Sequence, residues 1–179
     1  MEIRRLPVTD DALGRFAEEL WLPYHRDLAA AVEAHALADR PDEELIAENV
    51  AFHRDLLAEE DRRGWVAVDE GWTETDTGDG ELPANADLTG FVLTSVDACP
   101  DVFDRPDRLV VGDIYVAEPH RGSGLARRLV ERAAADAHEA GCSELRLDVD
   151  VDNECALAFY EKLGFSAYRK QLTMPANDV

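Results

Sequence analysis

Apolar and polar positions follow two rhythms along this chain. A period near 3.6 marks amphipathic helices, and a period of two marks half-buried strands. The first run, "EIRRLPV" over residues 2–8, reads as a strand. Thr9 or Asp10 caps a helix over "DALGRFAEEL", and Pro23 interrupts it. A helical pattern resumes over residues 24–38. Another spans residues 41–60, with Pro41 in its first turn and Leu45, Val50, Phe52, Leu56 and Leu57 as its apolar positions.

Beyond Gly64 the rhythm changes. "WVAVDE", "LTGFVLTSV" and the run from Arg108 to Val116 read as strands. The Gly-, Thr- and acid-rich segment from Gly71 to Asp87 reads as a solvated loop, and "ACPDVFDRPD" as a turn region. A helix follows with Leu125, Ala126, Leu129, Val130, Ala133 and Ala137 on one face. Arg127, Arg128, Glu131, Arg132 and Asp136 take the other face, and Gly141 is the stop. "SELRLDVDV" alternates as a strand; "NECALAFYEKL" is a short helix between the cap Asn153 and the stop Gly164. "FSAYRKQLTM" is a last strand.

Successive strands without helices imply antiparallel pairing, and the strand–helix–strand unit around Gly122 implies a parallel pair. The expected fold is α/β (α+β in some schemes): a single mixed, mostly antiparallel central sheet of about six to seven strands flanked by helices. The 179 residues suit one domain, with an acceptor-side portion over 1–64 and a sheet core over 65–179.

Charge adds a second layer. Acidic residues number 39 against 18 basic ones, a net charge of -21, and Lys162 and Lys170 are the only lysines. Self-repulsion of that size destabilises a compact state in dilute salt, and about 1 M salt shortens the Debye length to roughly 3 Å. The composition is therefore read as adaptation to a salty, halophilic cytoplasm. Nucleic-acid binding through a basic patch is disfavoured. No apolar run reaches the roughly 20 residues of a membrane helix, and "MEIRRLPVTDD" lacks the apolar stretch of a signal peptide. A soluble cytoplasmic protein is expected. Cys99, Cys142 and Cys155 form no CxxC pair, which argues against a zinc site or disulfide scaffold and for use as small buried residues.

The chemistry concentrates in "VAEPHRGSGLARRLVERA". A helix that starts at Ser123 or Gly124 leaves its first N–H groups without internal partners and carries about half a positive charge there. Gly122 and Gly124 let an anion approach the backbone, and Arg121, Arg127 or Arg128 add charge-assisted contacts. A tight turn capped by Ser123 is the plainer reading. The run is no P-loop. A dinucleotide fingerprint fits Gly122 and Gly124 but meets Arg127 at its third glycine, with Asp148 or Asp150 in the place of the ribose-binding acid.

"DIYVAEPHRGSGLARRLVERA", followed by "NECALAFYEKLGF", resembles the GNAT superfamily of acyl-CoA-dependent N-acyltransferases. The first block is similar to its pyrophosphate motif, here Arg121, Gly122, Ser123, Gly124, Leu125 and Ala126. The second is similar to its N-x-x-A-x-x-F-Y-x-K-x-G-F element, with Asn153, Ala156, Phe159, Tyr160, Lys162, Gly164 and Phe165 in place. The resemblance implies acetyl-CoA as donor, a primary amine on a small molecule or peptide as acceptor, and no metal. It implies a pyrophosphate on the N–H groups from Arg121 to Ala126, a bulge that splays the preceding strand, and a pantetheine arm along Ile114, Tyr115 and Val116. A backbone N–H there would bond the thioester oxygen.

Asp113, just ahead of the expected bulge, is the candidate base, with Glu118 second; a merely solvated Asp113 competes. Tyr160 resembles the family's thiolate-facing tyrosine, as proton donor or hydrogen-bond donor. Asn153 caps its helix and, by resemblance, contacts the coenzyme arm. "DVDVDNE" lacks the glycine and the final acid of a calcium loop. His25, His35, His53, His120 and His138 read as solvated or structural; Trp21, Tyr24 and Trp72 are candidates for an acceptor pocket or for core. The alternatives to an enzyme are a non-catalytic acyl-CoA or nucleotide sensor and a dehydrogenase-like domain. A homodimer remains open.

Overall fold

The computed structural model describes residues 1–69, 82 and 86–178. Most of the loop from Gly71 to Asp87, with Trp72, lies outside them. The described chain divides into two compact units, Met1–Asp148 and Val149–Val179.

The first unit is built on a sheet of five strands in sequential order: β1 (Glu2–Arg5), β2 (Arg62–Val68), β3 (Leu88–Asp97), β4 (Arg108–Val116) and β5 (Glu144–Leu147). The first three pairings are antiparallel and β4–β5 is parallel. Five strands replace the expected six to seven. Residues 165–174 form no strand; Tyr168, Leu172 and Met174 are exposed, and no ladder takes up the backbone. β1 stops before Pro7, which has no N–H to give a ladder. β5 stops at Leu147, where its pairing with β4 ends, four residues short of the alternating run read from sequence.

The helices are α1 (Asp10–Phe16), α2 (Leu22–Ala31), α3 (Asp42–Leu57) and α4 (Leu125–Glu139), with α5 (Glu154–Lys162) in the second unit. Thr9 caps α1 through a bond from the Ala12 N–H at 3.3 Å. Pro23 does not interrupt the helix. A π-helical turn over Ala17–Trp21 joins α1 to α2, and the Leu22 N–H reaches back five residues to Ala17 O. The widened turn absorbs the donor that Pro23 lacks. Pro41 sits just before α3 rather than inside its first turn.

Two apolar cores flank the sheet. Leu13, Phe16, Leu20, Val66, Phe91 and Leu93 pack on the α1–α3 side. Val92, Leu109, Val111, Leu125, Leu129 and Ala133 pack under α4. Two expectations of facing are overturned. Asp136, assigned to the polar face of α4, is fully buried. It accepts from Arg63 (2.9 Å), Trp65 Nε1 (2.7 Å), Thr94 Oγ1 (3.0 Å) and Arg132 (3.0 Å), while the Arg132 guanidinium lies 4.2 Å from the Trp65 ring centroid. On α3, Phe52 is exposed whereas Asn49 and His53 are buried. Of the cysteines, only Cys142 is buried; Cys99 is half-buried and Cys155 exposed.

Candidate functional site

β4 is where the sheet opens. Its pairing with β3 runs in register from Arg108 to Val111 and resumes at Ile114, so Gly112 and Asp113 stand opposite the single residue Leu93. This is a β-bulge. On the other edge, β5 pairs with Arg108–Val111 and no further. Among the described residues that edge of β4 has no strand partner from Gly112 to Val116, which leaves its peptide groups to an extended ligand. Ile114 and Val116 pack towards the α4 core and Tyr115 towards the other.

The glycine-rich turn lies just past the end of β4. A short 3-10 turn, Glu118–His120, precedes it, and α4 starts at Leu125, one residue after Gly124 and two after Ser123, the two starts read from sequence. Gly122 and Gly124 hold φ of 76° and 87°, in the left-handed region that favours glycine. A Cβ on either would meet nothing within 4 Å. The space an anion needs is therefore open. The first intrahelical bond runs from the Arg128 N–H to Gly124 O (3.2 Å), which leaves the N–H groups of Leu125, Ala126 and Arg127 in the donor-rich first turn. Ser123 Oγ donates to His120 O at 2.6 Å and accepts from the Leu125 N–H at 3.4 Å. The turn thus fits a diphosphate by its backbone.

Its arginines are engaged elsewhere. Arg121 donates to Val116 O (3.1 Å) and forms an ion pair with Asp27 of α2. Tyr115 donates to the same carboxylate at 3.0 Å, and its hydroxyl pKa is pushed up to about 12 by burial and by Asp27. Arg127 pairs with Glu131, and Arg128 donates to Met1 O.

A cavity of about 680 Å³ opens on the α2–α3 side of the bulge. Gly112 and Asp113 form part of its wall, with Trp21, His25, Asn49, Phe52 and His53. Asp113 accepts from the Tyr24 hydroxyl at 3.0 Å. Tyr24 itself is partly buried against the core. The histidines read from sequence as solvated or structural are thus split: His25 and His53 line one cavity with Asp113. Burial lowers the pKa of both, against an upward pull from Asp113, so the neutral imidazole is favoured. The His53 Nδ1 lies 3.2 Å from Asn49 O. The buried side-chain carbonyl of Asn49 has no hydrogen-bond partner among the described residues, a condition worth about 1–3 kcal/mol against the fold.

The structure therefore brings together Asp113, Ile114, Tyr115, Val116 and the run from Arg121 to Arg127 along β4 and its outlet. Asn153 and Tyr160 lie in the second unit. Asn153 caps α5 through a bond from the Ala156 N–H at 3.1 Å. The Tyr160 ring lies 5.3 Å from Phe159 and 5.6 Å from Phe165, centroid to centroid. Asn49 and His53 were missed from sequence, although the spacing Leu45, Asn49, His53, Leu57 places all four on one helical stripe. Asp27 carries no sequence signal, because its contact with Arg121 spans 94 positions.

A single sheet that parts beside a bulged strand, with a glycine-rich helix start at the strand's outlet, defines the α/β class of this chain. The chain belongs to the acetyltransferase (GNAT) family, whose model matches residues 16–165. It is 39% identical over 83 residues to the streptothricin acetyltransferase of Streptomyces lavendulae, a match covering 46% of this chain and 41% of that protein. The chain spans less than half the length of the first curated relatives it matches. Among solved structures, a tetramutant of the BH1408 protein from Bacillus halodurans superposes with a TM-score of 0.74 at 19% identity, covering 98% of this chain and 99% of that one. The aminoglycoside N-acetyltransferase AAC(6')-Iy in complex with CoA superposes at 0.64 and 16% identity, over 97% and 93% of the two chains.

Proposed function

We propose that the chain transfers an acetyl group from acetyl-CoA to a primary amine by direct attack in a ternary complex. The observation that carries this reading is the bulge at Gly112–Asp113. It puts a carboxylate on the wall of a cavity and, in the same stretch of β4, leaves a strand edge that runs to an open, donor-rich turn. One short segment thus faces both a cavity for an acceptor and a track for an extended thioester. Family membership and a structural neighbour solved with CoA support the same donor.

In this mechanism the N–H groups from Gly122 to Ala126 hold the diphosphate, the Arg121 N–H expected to join them being taken by Glu118 O at 3.2 Å, and the free edge of Ile114–Val116 pairs with the amide-bearing arm. An ammonium acceptor is protonated near neutrality, since an unperturbed amine has a pKa of roughly 10.4. Asp113 takes that proton, directly or through water, as the amine nitrogen attacks the thioester carbon. Negative charge grows on the carbonyl oxygen and is met by a β4 backbone N–H. The C–S bond then breaks, and the leaving thiolate takes up the second proton that the nitrogen sheds as the amide forms; the family resemblance assigns Tyr160 to steady that sulfur by a hydrogen bond. The acceptor is a small molecule or a peptide amine. The acidic composition supports a setting in a salt-rich cytoplasm.

A thiol-release assay with an amine panel in molar KCl tests the reading. Turnover is expected, and Asp113→Asn should lower kcat by about 10²–10³-fold while calorimetry shows coenzyme A affinity retained. Tight coenzyme A binding with no amine turned over would favour a sensor. Binding of NAD(H) without coenzyme A would favour the dehydrogenase-like alternative.

A further inference from the structure

We infer that the cavity beside the bulge selects a monoamine carried on an apolar, ring-sized body with one uncharged hydrogen-bonding group, an alcohol or an amide, and that Asn49 reads that group. The inference rests on the acetyltransferase reading above and extends it to the acceptor.

Charge decides the number of amines. Among the lining residues, Glu48 is paired with Arg40, while Arg62 and Arg63 are paired with Glu59 and with Asp136 and Glu139. His25 and His53 are held towards their neutral forms by burial. Asp113 accepts from Tyr24 and has no cationic partner among the described residues. One carboxylate is thus left to meet one ammonium. A polycation, which needs a carboxylate for each amine, finds no second unpaired one among the described lining residues.

The rest of the wall sets the body. Trp21, Leu37, Leu45, Phe52, Leu56 and Leu93 give an apolar lining around a volume of about 680 Å³. This suits an aromatic or comparable ring rather than a bare alkyl chain.

Asn49 sets the remaining group. It is 5% exposed, stands on the inward stripe of α3 between Leu45 and His53, and lines the cavity with its side-chain carbonyl unpartnered. A leucine there would continue the apolar stripe without a stranded polar atom. His53 adds a second acceptor. With its Nδ1 bonded to the Asn49 backbone carbonyl, the neutral ring presents Nε2 as a lone pair. Either acceptor takes the O–H of an alcohol on the ligand, and the two together take the N–H pair of a primary amide.

The test compares 2-phenylethylamine with tyramine and phenylalaninamide, and all three with spermidine and kanamycin. Wild-type kcat/KM is expected to favour tyramine or phenylalaninamide over phenylethylamine by about tenfold or more, with the two polycations poorest. Asn49→Leu should shrink that ratio to within about threefold. A ratio unchanged by Asn49→Leu, or polycations preferred, overturns the inference. Calorimetry of the same amines with coenzyme A present reads the cavity independently of turnover. The same pattern in Kd supports the inference even where no acetyl is transferred, and then the acetyltransferase reading falls instead. Equal Kd values across the three monoamines overturn it. Asn49→Asp, which keeps the size of the side chain, serves where Asn49→Leu fails to fold: it should favour a diamine over the monoamines, and indifference to it counts against the inference.

Discussion

At Gly124 a single α-carbon decides whether the glycine-rich turn before α4 keeps its shape. Its φ of 87° starts α4 in a conformation that an L side chain adopts at a cost of about 1–2 kcal/mol. Space is not the obstacle, since a Cβ there meets nothing within 4 Å. Gly124→Ala should therefore destabilise the fold by roughly that amount and weaken coenzyme A binding, as measured by urea unfolding and calorimetry. The half-buried His25 and the buried His53 make a different prediction. Burial lowers the pKa of His25 and His53, so the folded state binds fewer protons than the unfolded state just below an ordinary imidazole pKa. Their contribution is fully present above about pH 6.5 and is lost as the pH falls through that value towards their folded pKa. Urea midpoints in molar KCl should drop between about pH 7 and pH 5, and His53→Gln should flatten the slope. Glycine positions of this kind are legible in sequence because only glycine tolerates the geometry. Asn49 and His53 were not, because a periodicity count scores polar residues as surface whatever lies opposite them.

The elements were read best where a local rule governs them. Thr9 and Asn153 cap as their side chains dictate, and Gly141 and Gly164 end helices at φ of 73° and 95°. Local rules failed where a distant partner decides. Residues 165–174 alternate like a strand, yet a strand exists only if a neighbour completes its ladder, and alternation carries no information about that neighbour. The bulge in β4 was expected from family resemblance; no residue pattern in "RLVVGDIYV" announces it, although Gly112 sits inside it. The link between α2 and the turn was invisible for the same reason. Asp27 holds Arg121 and Tyr115 together, so in the proposed function a diphosphate would compete with a carboxylate for that guanidinium. Asp27→Asn should tighten coenzyme A binding by up to about fivefold, the range of an exposed ion pair. Calorimetry at low and high salt checks it, and the gain should shrink as salt screens the pair.

For the molecule as a whole, a net charge of -21 on 179 residues makes solvent ions part of the stability. The melting temperature should rise between about 0.1 M and 1 M KCl, and a scanning calorimeter reads this directly. Exposed pairs such as Arg26–Asp42 should matter less as salt is added. Asp136 behaves otherwise. Burial pushes its pKa up, yet the donors Trp65, Arg63, Arg132 and Thr94 together hold it below the ordinary carboxylate value. Removing it with Asp136→Ala should cost about 3–5 kcal/mol, because the converging donors and the arginine charges would lose their acceptor. Dissolved ions cannot reach that carboxylate, so the penalty should be alike in dilute buffer and in brine. The chain therefore carries an electrically insulated rivet through β2, β3 and α4, and the ionic weather outside sets how strongly the shell repels itself without loosening what pins it.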